Sequence, residues 1–341
     1  MLINPAKMLF LVTLVMGTLI SISSNSWFGV WMGLEINLLS FIPLMTNYKN
    51  ILSTEASLKY FLIQAFASAI LLFSIILLYI FTQMHQKPFF TLDLIISSAL
   101  LLKMGAAPFH FWFPGTMEGL NWFNCFTLMT WQKIAPLMLL SYLIQLNAFT
   151  IIVILSSVMV GSIGGLNQTS LRKLMAYSSI NHLGWMIGGM LTGENVWEIY
   201  FMIYSFLSLS IIYIFMSLQI FHINQNFLTL NNNHMMKFCL FMLLLSLGGL
   251  PPFLGFLPKW IIIQTMAELN LLFLITFMAV TTLITLFYYL RLTFTAFLLS
   301  NSELKWNLSS PISWTKLTTL LSLTSISTLG LAISSMMFSI I

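Results

Sequence analysis

Charged residues are scarce in this sequence: they make up 6% of its 341 residues, whereas hydrophobic residues make up 59%. A soluble domain needs more charged side chains than this to cover its surface, so the composition excludes one. The formal net charge is +5, but ten of the 13 lysine and arginine residues stand singly or in pairs within short polar segments. This spacing indicates contact with anionic lipid head groups and membrane topology rather than nucleic-acid binding.

Cysteine is nearly absent as well, since Cys125 and Cys239 are the only two, each isolated in an apolar segment. An iron–sulfur cluster needs four thiolates, so this chain cannot hold one by itself. The sequence has neither a dinucleotide-binding nor a nucleotide-triphosphate-binding glycine motif, and its five histidines show no metal-ligand spacing. We therefore expect no cofactor and no metal in this chain, and any redox cofactors in partner subunits.

Long apolar stretches occupy almost the whole chain. A membrane-spanning helix needs about 20 mostly apolar residues, and on this basis we predict an all-α polytopic membrane protein forming a single membrane domain. The eleven predicted spans cover residues 3–22, 26–46, 57–83, 92–121, 123–146, 148–168, 172–192, 196–222, 236–268, 271–299 and 315–338.

The fourth and ninth predicted spans contain helix-breaking residues. Pro108 follows Lys103 closely, and residues 247–259 contain three prolines and three glycines. Proline removes a backbone hydrogen bond, and irregular backbone at membrane depth is tolerated only where protein or water satisfies it. We therefore predict two broken helices, each beside a hydrated pocket.

The position of the two broken helices indicates an internal repeat. Each would be the fourth helix of a set of five, in residues 1–146 and 147–299, followed by a C-terminal loop and helix at 300–341. Because five is odd, the second set would be inverted relative to the first.

The distribution of basic residues supports this count of spans. With eleven spans, one side of the membrane receives nine basic residues and the other receives only Lys87. Short loops rich in lysine and arginine stay on the inner side, which predicts an inner N-terminus and an outer C-terminus. The nine are Lys7, Lys49, Lys59, Arg172, Lys173, Lys237, Arg291, Lys305 and Lys316.

Four charged residues lie deep inside predicted spans, where we place them near the middle of the roughly 30 Å hydrocarbon core. They are Glu35, Lys103, Lys133 and Lys259. Such residues are costly in a bilayer and usually mark an ion or proton pathway, so we predict a proton relay along them. His110 and His182 are second-tier candidates for the same relay. A purely structural role, in which the lysines snorkel or neutralise a carboxylate, is the alternative.

Three motifs resemble one protein family. They are KMGAAPFHFWFP from Lys103, NQTSLRKLMAYSSINHLGWM from Asn167 and LGGLPPFLGFLPKW from Leu247. In this order they resemble the antiporter-like proton-translocating subunits of respiratory complex I, in the form encoded in animal mitochondrial DNA. The resemblance covers essentially the whole chain, although bacterial relatives have further spans before the first one found here.

The resemblance implies roles for the four charged residues. Glu35 and Lys103 are similar to the family's paired carboxylate and lysine, Lys133 to its connecting lysine, and Lys259 to the lysine of its second broken helix. It also implies a multi-pass protein of the mitochondrial inner membrane with its N-terminus in the matrix.

The expected partners are the other membrane-arm subunits of complex I, accessory subunits at the face where the additional helices would lie, and membrane lipids. NADH, FMN, iron–sulfur clusters and ubiquinone would be bound by partner subunits. Two other functions stay open: a stand-alone cation/proton antiporter and a non-conducting structural subunit.

Overall fold

The computed structural model describes residues 5–47, 49–83, 89–193, 195–225, 234–298 and 314–340. Lys87 and Lys305 lie outside these ranges. The described residues form helices, apart from connecting turns and one isolated bridge between Ser170 and His222. The helices are α1 (Pro5–Ser23), α2 (Trp27–Met45), α3 (Ile51–Gln83), α4 (Phe89–Met104), α5 (Trp112–Gly119), α6 (Trp122–Met129), α7 (Trp131–Ser141), α8 (Ala148–Gly165), α9 (Leu171–Thr192), α10 (Val196–Leu218), α11 (His234–Gly248), α12 (Phe256–Glu268), α13 (Leu272–Leu298) and α14 (Trp314–Ile340).

Six described helices are long and apolar enough to cross a membrane. They are Pro5–Ser23, Trp27–Met45, Ile51–Gln83, Ala148–Gly165, Val196–Leu218 and Leu272–Phe294. Their outward faces carry many exposed large apolar side chains, as expected where lipid rather than water is the surrounding solvent. The protein is therefore an all-helical membrane protein, while the count of eleven spans and the inverted repeat stay predictions.

The chain divides into two compact units, Met1–Val153 and Ile154–Ile341. In the first unit, α3 packs against α2, α4 and α5, and α7 packs against α1 and α4. In the second unit, α11 packs against α10, α13 and α14, and α12 packs against α9, α10 and α13. The two predicted repeats, with their boundary between residues 146 and 147, stay a prediction.

The first predicted break lies between α4 and α5. Gly105 has a φ of +75°, which only glycine adopts without strain. Its N–H donates to the Leu102 carbonyl at 3.2 Å, and the Ala106 N–H donates to the Leu101 carbonyl at 3.2 Å. This is a Schellman ending, which satisfies carbonyl groups that a helix end would leave without partners.

The second predicted break lies between α11 and α12 and has the same ending. Gly249 has a φ of +80°. Its N–H donates to the Ser246 carbonyl at 3.0 Å, and the Leu250 N–H donates to the Leu245 carbonyl at 3.4 Å. Both units therefore end a helix with one motif, followed by an irregular segment and a further helix.

A third interruption was not predicted. The sequence analysis treats residues 123–146 as one helix, but the structure has α6 and α7 there, separated by Thr130 with φ −114° and ψ −71°. The Thr130 hydroxyl donates to the Phe126 carbonyl at 2.8 Å. A side chain that bonds back to the preceding turn competes with the helix and bends it, which requires neither proline nor glycine.

Candidate functional site

Lys103 lies in the last turn of α4, just before the first break, and only 7% of it is exposed. Its carbonyl accepts a hydrogen bond of 3.1 Å from Gln64 Nε2 on α3. The Leu102 carbonyl accepts one of 3.1 Å from Trp112 Nε1 on α5. The carbonyl groups near the broken helix end are thus bound by polar side chains of neighbouring helices, which fixes the position of Lys103.

A small polar cavity adjoins Lys103. Its volume is about 20 Å³, enough for about one water molecule. Gln132 links two sides of it, because its Nε2 donates to Asn37 Oδ1 at 3.0 Å and its Oε1 accepts from the Tyr60 hydroxyl at 3.4 Å. The lining residues are Leu34, Asn37, Leu38, Tyr60, Gln64, Lys103, Gln132 and Pro136.

Glu35 lies on α2 and is half-buried. Its neighbours Leu34 and Asn37 line the cavity, and its carboxylate is close enough to act electrostatically on Lys103. Glu35 and Lys103, which the resemblance implies to be a pair, are thus within electrostatic range of each other, and their roles stay a prediction.

Lys133 lies in the first turn of α7, and only 1% of it is exposed. Its Nζ lies 4.9 Å from the centre of the Phe113 ring, within the range of a cation–π interaction. Phe113 in turn packs against Gly105, where a Cβ atom would come within 3.1 Å of the Phe113 Cβ. Lys133 is therefore connected by packing to the first break.

Lys259 lies in the first turn of α12, just after the second break, and only 6% of it is exposed. Its Nζ donates a hydrogen bond of 2.8 Å to the Gly248 carbonyl, the last residue of α11. The same Nζ lies 6.0 Å from the centre of the Trp185 ring. Lys259 thus reaches back across the break to the helix end that precedes it.

His182 lies next to the second break. Its Nδ1 shares a hydrogen bond of 2.7 Å with the Tyr200 hydroxyl, and its ring centre lies 5.0 Å from that of Tyr204. It also lines a cavity of about 10 Å³ together with Leu247 and Pro258. The structure therefore places this second-tier candidate beside the residue that precedes Lys259.

His110 has a more local environment inside the first break. Its Nδ1 lies 3.2 Å from the Pro108 carbonyl, and its ring centre lies 4.3 Å from that of Phe111. It is not among the residues that line the cavity at Lys103. Its contacts support a role in holding the break more directly than a role in a relay.

The sequence analysis missed the neutral polar residues that surround these lysines. Tyr60, Gln64 and Gln132 line the cavity at Lys103. The Tyr200 hydroxyl shares a hydrogen bond with His182. Polar side chains spaced by one helical turn inside an apolar span, such as Tyr60 and Gln64, could have indicated them. Among the described residues, no group of three or more His, Cys, Asp or Glu residues could hold a metal ion.

These observations define a helical membrane protein in which lysines are buried at two broken helices with similar endings. The chain belongs to the NADH:quinone oxidoreductase/Mrp antiporter transmembrane family, whose family model matches residues 24–285.

Curated relatives narrow this assignment within the family. NADH-ubiquinone oxidoreductase chain 2 of Aedes aegypti is 55% identical over 335 residues, which are 98% of this chain and 98% of the relative. The protein of the same name from Anopheles gambiae is 56% identical over 304 residues, which are 89% of each chain. Identity at this level over nearly the full length places the chain in the chain 2 group of the family.

Solved structures show the same fold at low identity. A chain of respiratory complex I from Thermus thermophilus matches with a TM-score of 0.85 and 22% identity, over 97% of this chain and 79% of that chain. A chain of the Mrp complex from Dietzia sp. matches with a TM-score of 0.78 and 14% identity, over 96% of this chain and 75% of that chain.

Proposed function

We propose that this chain is a core membrane-arm subunit of the proton-pumping NADH:ubiquinone oxidoreductase. It moves protons through a hydrated relay at mid-membrane depth that includes Glu35, Lys103, Lys133 and Lys259. Electron transfer in other subunits drives this movement. The family assignment supports the first part, and the burial of three lysines beside broken helices supports the second.

The arrangement at Lys103 is the observation that best supports the proposed proton relay. A lysine at the end of a helix adjoins a polar cavity of about 20 Å³ and lies within electrostatic range of a carboxylate on another helix. An ammonium group is stabilised by a nearby carboxylate and loses that stabilisation when the two separate. A small displacement of α2 relative to α4 would therefore switch the tendency of Lys103 to hold its proton.

The surroundings of the cavity suit proton transfer. Gln132 and Tyr60 carry both donors and acceptors, so they can bind a water molecule in either orientation. Lys133, in contact with Phe113 behind the break, continues the path within the first unit. Lys259 provides a second buried lysine beside a broken helix, in the second unit, where the Gly248 carbonyl accepts its hydrogen bond.

The same proposal assigns cofactors, partners and location. NADH, FMN, iron–sulfur clusters and ubiquinone are bound by partner subunits, and neighbouring membrane-arm subunits, accessory subunits and lipids surround this chain. The protein lies in the mitochondrial inner membrane with its N-terminus in the matrix and its C-terminus in the intermembrane space. The one-sided distribution of Lys and Arg supports this orientation.

The test measures protons translocated per NADH oxidised by the intact complex in sealed vesicles. Lys103→Gln and Glu35→Gln remove each charge, and Lys59→Gln, at an exposed lysine of α3, is the control. We expect fewer protons per NADH with the first two variants and an unchanged ratio with the control.

Other results would favour a different function. An unchanged ratio after Lys103, Lys133 and Lys259 are all neutralised would overturn the relay and support a non-conducting structural subunit. Cation exchange by the isolated chain in vesicles would instead support a stand-alone antiporter.

A further inference from the structure

The C-terminal helix α14 contacts the second break directly. Leu254, in the irregular segment between α11 and α12, donates a backbone hydrogen bond of 3.0 Å to the Ser327 carbonyl. Ser327 lies near the middle of α14 and is buried. A carbonyl oxygen has two lone pairs, so it can accept a hydrogen bond from outside its own helix. A helix that follows the two predicted repeats, and that has no role in the relay described above, is therefore bonded to the break.

A close side-chain contact accompanies this hydrogen bond. Gly330 lies three residues after Ser327 and so on the same face of α14. The Leu254 side chain occupies the space that a Cβ at Gly330 would need, because such an atom would overlap Leu254 Cδ1 and would lie 3.0 Å from its Cγ. Even alanine at this position would require Leu254 to move. Ser327 and Gly330 together form the α14 contact site for Leu254.

Two side-chain contacts hold α14 against other helices of the second unit. The Thr319 hydroxyl donates a hydrogen bond of 3.1 Å to the Tyr213 hydroxyl on α10. The Thr324 hydroxyl lies 3.8 Å from Cys239 Sγ on α11. The α14 contact site therefore has a defined position relative to α11, the helix that ends at the second break.

Leu254 is also bonded to the helix that carries Lys259. Its carbonyl accepts a hydrogen bond of 3.2 Å from the Leu257 N–H in the first turn of α12. Lys259 lies in the same turn, two residues further on. The backbone of Leu254 thus joins α14, through its N–H, to the start of α12, through its carbonyl.

The next residue, Gly255, lies against the end of α11. A Cβ at Gly255 would overlap the Ser246 carbonyl, which accepts the Gly249 N–H at 3.0 Å in the Schellman ending. The same ending presents the Gly248 carbonyl to Lys259 Nζ at 2.8 Å. A displacement of the irregular segment would therefore change the distance between the lysine and its acceptor.

We propose that the α14 contact site positions Lys259. Ser327 and Gly330 hold Leu254, Leu254 holds the start of α12, and α12 keeps Lys259 Nζ on the Gly248 carbonyl. This inference rests on the proposed relay function, because it assigns a helix outside the predicted repeats to the placement of the second lysine. Ser327 and Gly330 act through Leu254 and are positioning residues.

The geometry favours positioning over simple packing. Apolar packing is non-directional, so by itself it would allow the segment to slide along α14. The 3.0 Å hydrogen bond to Ser327 selects one turn of α14, because successive turns are about 5.4 Å apart. The absence of a Cβ at Gly330 sets how closely Leu254 approaches. The two contacts together fix both the height and the distance of the break relative to α14.

The experiment measures the NADH oxidation rate and the protons translocated per NADH by the intact complex in sealed vesicles. Gly330→Ala places a methyl group against Leu254, whereas Leu254→Ala empties the contact and adds no atom. The two substitutions together refill it, since the Leu254 Cβ, at 3.1 Å, then remains beside the new methyl group. Lys259→Met removes the lysine, and it is also combined with Gly330→Ala.

Ser325→Thr is the matched control on α14. It adds one methyl group at an exposed position and keeps the hydroxyl that donates to the Ser322 carbonyl at 2.9 Å. The proton ratio is normalised to turnover, so a lower yield of assembled complex does not alter it. A purely structural role of the contact would lower the yield and the rate and leave this ratio unchanged.

We expect Gly330→Ala and Leu254→Ala each to lower the proton ratio toward that of Lys259→Met. The two together return most of the ratio, because the residues are in direct contact and their effects are not additive. Gly330→Ala causes no further fall once Lys259 is replaced, because it acts through the lysine. The control keeps the full ratio.

Three results would overturn the positioning and leave the relay standing, provided that Lys259→Met lowers the ratio. They are a full ratio in both single variants, no recovery when the two are combined, and a further fall when Gly330→Ala is added to Lys259→Met. If Gly330→Ala prevents assembly, Leu254→Ala decides, since it adds no atom. If Lys259→Met itself keeps the full ratio, the proposed function of Lys259 fails, and the positioning with it.

Discussion

Replacing Gly249 by alanine tests whether the helix ending at the second break positions Lys259. Gly249 has a φ of +80°, and a Cβ there would lie 2.9 Å from Lys259 Nζ and 3.0 Å from its Cδ. Both contacts are shorter than side chains normally make. The alanine variant must therefore distort the backbone, displace the lysine, or do both.

The expected magnitude comes from two contributions. A left-handed conformation costs a residue with a Cβ about 1–2 kcal/mol relative to glycine. Displacing Lys259 breaks its 2.8 Å hydrogen bond to the Gly248 carbonyl, which is worth about 1–3 kcal/mol depending on the charge of the donor. We therefore expect Gly249→Ala to destabilise this region by about 2–5 kcal/mol, the sum of these two ranges.

The adjacent residue provides the control. Gly248→Ala adds the same methyl group in the same turn, but the nearest atom would be Tyr289 Cδ2 at 3.6 Å, an ordinary van der Waals contact. The assay measures the melting temperature of the purified complex and its protons per NADH. We expect both to fall with Gly249→Ala and to change little with Gly248→Ala. Equal behaviour of the two variants would refute the claim that this ending positions the lysine.

Two further predictions concern the first unit. Gln132→Leu removes the link between Asn37 and Tyr60 beside the cavity at Lys103, so we expect fewer protons per NADH from a complex that still assembles; an unchanged ratio would exclude this cavity from the relay. Asn124→Leu removes the 2.9 Å hydrogen bond from Asn124 to the Leu44 carbonyl at a cost of about 1 kcal/mol. We expect it to lower the melting temperature while the proton ratio stays constant, and a changed ratio would contradict a structural role.

The two breaks could be predicted from sequence because their causes are local. Glycine and proline act on their own backbone, so Gly105, Pro108 and Gly249 indicate interruptions without knowledge of the fold. Proline alone is an incomplete signal, since Pro43 and Pro136 lie inside α2 and α7 without ending them. The interruption at Thr130 was missed because a hydroxyl bonding to its own helix has no distinctive sequence pattern.

The contacts of the lysines could not be predicted in the same way. Tyr200 and Tyr204 lie on α10 and contact His182 on α9, and only tertiary packing brings these side chains together. The partner of Lys259 is a backbone carbonyl, which every residue possesses, so no side chain in the sequence indicates it. The charged residues could be found from sequence because lipid makes them costly wherever they lie.

The two helix endings have similar hydrogen bonds, but different groups lie near the lysine at each of them. Peptide dipoles give the C-terminus of a helix a partial negative charge, which favours a nearby cation. In the second unit Lys259 meets this charge through the Gly248 carbonyl, which cannot itself be protonated. In the first unit Lys103 also has a titratable neighbour, Glu35. The partner of Lys259 is therefore a backbone dipole whose charge is fixed, whereas Lys103 is influenced by a side chain that belongs to another helix.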